Sequence, residues 1–277
     1  MGLRINTNVS SLSAQRTLAT TNRDISDNLR KLSSGERITR ASDDAAGLAI
    51  SENLKAQIRG MRQAKRNAND AISLIQTAEG GLSEISNIVI RLRELSVQAA
   101  NDTLGAEERK FADIEFQNLK DEIDRISRSA DFNGIKLLDG TGGRLEFQVG
   151  TRNDPILDRL VYDGTGSDAT LASLGISAET IASKEGAQTS LKKLDDALVQ
   201  INGVRANMGA LQNRLTSTIN NLGVSDENLS AANSRIRDVD IASESAKLTK
   251  NNILVQAGTS VLSQANQAPN IALSLIQ

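Results

Sequence analysis

The stretch NNILVQAGTSVLSQANQAPNIALSLIQ, Asn251–Gln277, contains no Asp, Glu, Lys or Arg, and its reading decides the fold. Apolar residues recur at seven-residue spacing in two stripes: Ile241, Leu248, Val255 and Leu262, and Leu254, Val261, Ala268 and Leu275. The opposite end of the chain repeats the pattern. Ile5, Leu12 and Ala19 share one stripe, and Leu18, Ile25 and Leu32 another. Sustained seven-residue spacing marks helices that pack side by side. A charge-free helix with Asn and Gln among its apolar residues suits neither water nor a bilayer, because it lacks an unbroken apolar run. Its place is against protein. With both termini of one type, the reading puts them against another copy of the chain.

Composition narrows the remaining choices. The chain has 277 residues and a net charge of −2, which leaves no basic footprint for nucleic acid or anionic lipid. Cysteine and histidine are both absent, which removes disulfides, thiol chemistry, the commonest general base and the commonest metal ligand. No cofactor is expected. Aromatic residues make up 2% of the chain, so Leu, Ile, Val and Ala must supply buried area, which suits long helices in narrow bundles. Two prolines, Pro155 and Pro269, leave long stretches without a helix breaker. No continuous apolar core follows Arg4, so a secretory signal is not expected. The Arg-rich, amphipathic start also fits an organelle transit peptide, but the matching C-terminal helix favours a structural role at both ends.

Working inward, a first helix is predicted from about Asn6 to Ser33, stopping near Gly35, with Glu36–Ser42 as a linker. Ser42 and Asp43 then offer N-caps, with Asp44 in the first turn. Leu54, Met61, Ala68, Ile75, Leu82 and Val89 keep seven-residue spacing, flanked by Ile58 and Ile72. The pattern passes through Gly80-Gly81, so the helix is read as continuous to about Ala100, roughly 85 Å at ~1.5 Å per residue. After a turn at Asn101–Gly105, a third helix begins near Ala106, with Phe111, Leu119, Ile123 and Ile126 as its apolar side. Glycine is frequent from Asn133 to Gly186, where short hairpins are read with strands near Leu145–Val149 and Asp158–Tyr162. A fourth helix carries Leu194, Ile201, Met208, Leu215, Leu222, Leu229 and Ile236 and runs through Gly223; Asp238-Val239-Asp240 forms a joint before the terminal helix. The expected fold class is therefore mainly α, a long coiled-coil-like rod with a small β-hairpin region and nested terminal helices. The expected domains are residues 1–40 with 240–277, paired, and 41–239, a long-helix bundle with its β region at about 133–186.

Catalysis finds little support. The carboxylate pairs Asp43/Asp44, Glu107/Glu108 and Asp195/Asp196 are adjacent residues, which point about 100° apart on a helix and do not converge. Gly140-Thr141-Gly142-Gly143 lacks the Gly-Lys-Ser/Thr ending of a phosphate loop and reads as a hairpin turn. No catalytic, cofactor or metal residues are assigned.

Several blocks of this chain resemble one family. Ile5-Asn6-Thr7-Asn8, Leu32-Ser33-Ser34-Gly35 with Ile38, and Ala41-Ser42-Asp43-Asp44-Ala45-Ala46-Gly47-Leu48-Ala49-Ile50 occur in order. Arg93-Glu94-Leu95-Ser96-Val97-Gln98, Phe132-Asn133-Gly134, Gln256-Ala257-Gly258-Thr259-Ser260 and Gln264-Ala265-Asn266-Gln267 follow. The chain resembles bacterial flagellin in a minimal form, because the Gly140–Ala182 segment is too short for a large outer variable domain. The resemblance implies a structural subunit that self-assembles into the flagellar filament for swimming motility. It implies a secreted, extracellular protein exported unfolded by the flagellar type III apparatus. The implied partners are identical subunits, an export chaperone at the C-terminal helices, and the filament cap and hook-junction proteins. Ile5, Leu12, Leu18, Ile25, Leu32, Leu248, Val255, Leu262 and Leu275 are then the expected subunit-packing residues. Arg91, Leu95 and Glu115 match the patch that, in some flagellins, meets the innate Toll-like flagellin receptor; the same surface also suits a filament contact. A hook–filament junction protein shares the terminal-helix logic and stays the alternative, with a helical secreted effector or enzyme behind it.

Overall fold

The computed structural model describes residues 7–274, with side chains through residue 267. The chain is mainly helical. Among the described residues five α-helices run in order: α1 (Val9–Ser34), α2 (Ala45–Ala99), α3 (Ala106–Ser129), α4 (Lys184–Arg237) and α5 (Ile241–Ser274). Two small antiparallel hairpins lie between α3 and α4. The described residues fall into two compact units, one from those up to Ala56 together with those from Asn228 onward, the other Gln57–Glu227.

In the unit Gln57–Glu227, the predicted stripes become the core. Ile75, Leu82, Ile85, Val89 and Leu92 of α2 are fully buried, as are Leu194 and Leu215 of α4. Aliphatic side chains make up most of this core, with Phe116 and Tyr162 as its buried aromatics. Gly81 lies in α2 where a Cβ would come within 2.8 Å of Leu138 Cδ1, so glycine there allows close packing rather than a break. The third helix needs a correction. Phe111 is 69% exposed, whereas Phe116 is fully buried with Ile123. Phe116, Leu119 and Ile123 follow the helical three–four spacing, and Phe111 falls off that face.

β1 (Asp131–Phe132) and β2 (Ile135–Lys136) are joined by Asn133 (φ 51°) and Gly134 (φ 79°), the left-handed pair of a two-residue turn. β3 (Arg144–Gln148) pairs with β4 (Arg159–Asp163), matching the expected strands to within a residue. Leu145 lies opposite Tyr162 and Phe147 opposite Leu160, so the pleat turns the apolar set to the core. Lys120 of α3, 4% exposed, holds the following loop by donating from Nζ to the carbonyls of Ser177 and Glu179, each at 2.8 Å.

In the other unit, α1 starts at Asn8, whose side chain accepts from the Ser11 amide at 3.0 Å. It ends at Gly35, with φ 71°. The cap of α2 is Asp44 rather than Ser42 or Asp43: its Oδ1 accepts from the Gly47 amide at 2.8 Å. Asp43 instead ties down the linker, its Oδ2 accepting from the amides of Thr39 and Arg40 at 3.0 Å. Asp240 caps α5, accepting from the Ala242 amide at 2.9 Å. The two linkers meet: the Val239 amide donates to Gly35 O at 3.0 Å, and Arg237 pairs with Glu36 (2.9 Å) and with Glu52.

Candidate assembly surface

The outer helices pack antiparallel, and their seam is half polar. On α1, Ser11, Ala14, Leu18, Thr21, Ile25, Asn28 and Leu32 follow alternating three- and four-residue steps, and all are buried or half-buried. On α5, Glu244, Leu248, Asn251, Val255, Gly258, Leu262 and Ala265 do the same. Leu18 sits against Gly258, where a Cβ would lie 3.3 Å from Leu18 Cδ1. At one end Asn8 Nδ2 donates to Ala265 O (2.7 Å) and Ser11 Oγ to Asn266 Oδ1 (2.8 Å).

This placement divides the residues expected to pack between subunits. Leu18, Ile25, Leu32, Leu248, Val255 and Leu262 are half-buried on the seam within one chain. Leu12 is 52% exposed and faces away from it. Ile5 and Leu275 lie outside the described residues, as does the Ala268 side chain. The second α5 stripe points outward, with Leu254 46% and Val261 55% exposed. Val9, Leu29 and Ile253 are also exposed; sequence reading missed them because they lie off the seven-residue stripes. Between the helices runs a groove of about 610 Å³ lined by Val9, Ala14, Thr17, Leu254, Ala257 and Val261, without a charged side chain. So much exposed aliphatic surface on two paired helices marks an interaction face.

In the other unit, Arg91 Nε and Nη2 donate to Glu115 Oε1 at 3.1 and 2.9 Å, and Nη1 to Glu94 at 3.0 Å. Arg91 and Glu115 thus share a surface across α2 and α3. Leu95 does not join them: it is 2% exposed and belongs to the core beside Leu92. Leu95 lies three residues after Leu92 and four before Ala99, on the buried stripe of α2, a burial that its spacing from Arg91 did not reveal.

The acidic pairs are distributed among structural tasks. Asp195 pairs with Arg93 at 2.6 Å and Glu107 with Lys110 at 2.8 Å, while Asp43 and Asp44 serve the linker and cap. Among the described residues, no group of three or more His, Cys, Asp or Glu could hold a metal, and no helix is long and apolar enough to cross a membrane.

Comparison with known proteins gives the same picture. Residues 5–142 match the bacterial flagellin N-terminal helical region, and residues 191–276 match the C-terminal helical region. The chain is 46% identical to the flagellar filament 33 kDa core protein of Treponema phagedenis, over 99% of both chains. It is 45% identical to the flagellin of Bacillus subtilis, over 99% of this chain and 100% of that one. The crystal structure of Bacillus cereus flagellin aligns with a TM-score of 0.51 at 36% identity, covering 57% of this chain and 88% of that chain. Paired terminal helices with an uncharged groove between them, in a mainly helical chain with small hairpins, define a helical structural protein. The chain belongs to the bacterial flagellin family.

Proposed function

We propose that this chain is the self-assembling subunit of a bacterial flagellar filament, with α1 and α5 forming the innermost packing layer. The observation that carries the reading is the outer face of the terminal pair. Leu12, Leu29, Ile253 and Val261 are each more than half exposed on one chain. Covering such surface is favourable by roughly 25 cal/mol per Å² of apolar area, and the matching face of a second copy can cover it. One relative is named a flagellar filament core protein and another a flagellin, each matched over 99% of this chain, which favours a filament subunit over a hook–filament junction protein.

The wider reading follows from the family. The subunit is exported unfolded through the type III apparatus and works outside the cell; the lack of cysteine fits a chain that must stay free of disulfides in transit. An export chaperone covers the C-terminal helices, and cap and hook-junction proteins bound the filament at its ends. Arg91 and Glu115 form a surface for the innate flagellin receptor on the free subunit, and a neighbouring subunit covers it in the filament. The direct test adds purified chain to sheared filament fragments and follows length by electron microscopy. Elongation of the fragments supports the reading. Fragments that keep their length at high subunit concentration contradict it.

A further inference from the structure

The outward face of α2 carries its charges in blocks rather than interleaved. From 59 to 66 there are four cations, Arg59, Arg62, Lys65 and Arg66, and no anion. From 67 to 90 there are three anions, Asp70, Glu79 and Glu84, and no cation. Arg59, Arg62, Arg66, Asp70 and Glu84 follow steps of three, four, four and fourteen residues, which keep them on one side of the helix. All five are exposed, whereas Ala64, Ala68, Ile75 and Leu82 fill the opposite, buried side.

The single chain uses little of this charge. Arg62 meets Asp226 of α4 at 3.1 Å, and Glu79 turns to Arg205 of α4 at 4.0 Å. Arg66 donates to Gln63 Oε1 instead of reaching Asp70. Among the described residues, Arg59, Lys65, Arg66, Asp70 and Glu84 make no ion pair. Cations at three- and four-residue spacing repel one another, so the basic block opposes the helix that carries it. A carboxylate placed among them would relieve that repulsion. Keeping the two signs apart has a use when a complementary block comes from outside the chain.

A second copy supplies one. When two α2 helices lie side by side in the same direction, a shift of about fifteen residues, ~22 Å at ~1.5 Å per residue, sets the basic block of one against Asp70 and Glu84 of the other. Long Arg and Lys side chains span the remaining mismatch. An antiparallel pair would satisfy both blocks at once and close as a dimer. The shifted parallel pair leaves one block open at each end and repeats without closing, as a filament requires.

We propose that the outward face of α2 is a contact between copies of this chain, in which Arg59, Arg62, Lys65 and Arg66 of one meet Asp70 and Glu84 of the next, and that this match sets their lengthwise offset. The contact rests on the filament reading above and gives it an offset between neighbours.

Charge reversal tests the match at exposed positions and leaves Arg62 with Asp226. One chain carries Arg59→Glu and Arg66→Glu, a second Asp70→Lys and Glu84→Lys, and a third all four. Filaments of each are grown in high salt, where exposed charges are screened, then sheared and returned to low salt. The subunit left in solution at steady state is measured. Either single-block chain is expected to leave roughly tenfold more free subunit than the unaltered chain. The chain with all four changes, whose blocks are complementary again, should return to within about twofold of it. In high salt the differences should largely vanish. Single-block chains that match the unaltered one, a fourfold chain no better than they are, or a gap that persists in high salt would overturn the contact. Loss of helix content in the single-block subunits would show that the blocks serve the fold, and would overturn it too. If the unaltered chain forms no filament in either salt, the filament reading fails and the contact falls with it; filaments indifferent to the reversals remove the contact alone.

Discussion

Arg91 of α2 is forked onto Glu115 of α3, with Nε and Nη2 at 3.1 and 2.9 Å from the same carboxylate oxygen. Both side chains are about half exposed (50% and 48%), so solvent screens the pair and it contributes little to holding the helices together. Its value lies in presenting a fixed charge pattern at the surface. Arg91→Ala is therefore expected to leave circular dichroism and the thermal midpoint nearly unchanged while weakening activation of receptor-bearing cells by the free subunit. Intact filaments should activate them poorly. Full potency of Arg91→Ala, or of intact filaments, would reduce this surface to ordinary packing.

The adjacent glycines of α2 should respond in opposite senses to alanine. At Gly80 an added Cβ meets open space, so Gly80→Ala gains helix propensity and is expected to stabilise by ~1 kcal/mol. At Gly81 it meets the fully buried Leu138 at 2.8 Å, so Gly81→Ala is expected to destabilise by about 1 kcal/mol despite the same propensity gain. Chemical denaturation of the two variants checks the signs; equal signs would show that Leu138 yields without cost.

That contrast shows what the sequence could and could not reveal. Seven-residue spacing located the long helices because an unbroken apolar stripe on α2 or α4 has one physical reading. Helix ends were legible where a residue type is forced, as at Gly35. They were missed by one or two residues where Ser42, Asp43 and Asp44 competed for the same cap. The inward turn of Phe116 instead of Phe111 was hidden because both are apolar and lie about 140° apart on the helix, and only the neighbour that covers α3 decides which of the two faces is the core. The buried position of Leu95 depended on which neighbour covers α2, and a single helix's spacing does not encode its neighbour. On the terminal pair the stripes were visible, but their division into inward and outward flanks is a matter of contact between α1 and α5, whose facing residues lie more than two hundred positions apart in sequence.

The loop between β3 and β4 gives a pH signature. Asp154 Oδ1 accepts from the amides of Leu157 (3.0 Å) and Ile156 (2.8 Å), and these bonds hold its carboxyl below the ordinary value of 3.8. The folded pKa is depressed, so the stabilisation is fully present above 3.8 and is lost as pH falls through the lower folded value. The amide resonances of Ile156 and Leu157 should shift together with a midpoint below 3.8. A midpoint above it would mean the carboxyl does not hold this loop.

Substitutions on the two flanks of α5 separate seam from surface. Leu262→Asp puts a carboxylate into the half-buried seam and should loosen the helical pair as well as prevent elongation, because an unpaired charge in apolar surroundings costs several kcal/mol. Leu254→Asp lies on the outward flank, 46% exposed, and should leave the pair intact while preventing elongation. Hydrogen exchange on α1 and α5, set beside filament growth, distinguishes them. Normal growth of Leu254→Asp would show that the outward flank stays in water.

The account rests on the terminal helices as the assembly surface, and the critical concentration for growth on filament fragments measures that most directly. The full chain is compared with a chain lacking residues 251–277, which removes most of α5 and all of its charge-free stretch. The full chain should elongate fragments above a defined concentration. The shortened chain should fail at every concentration tested while the Gln57–Glu227 unit keeps its helical signal and cooperative melting. Stable filaments from the shortened chain would contradict the account.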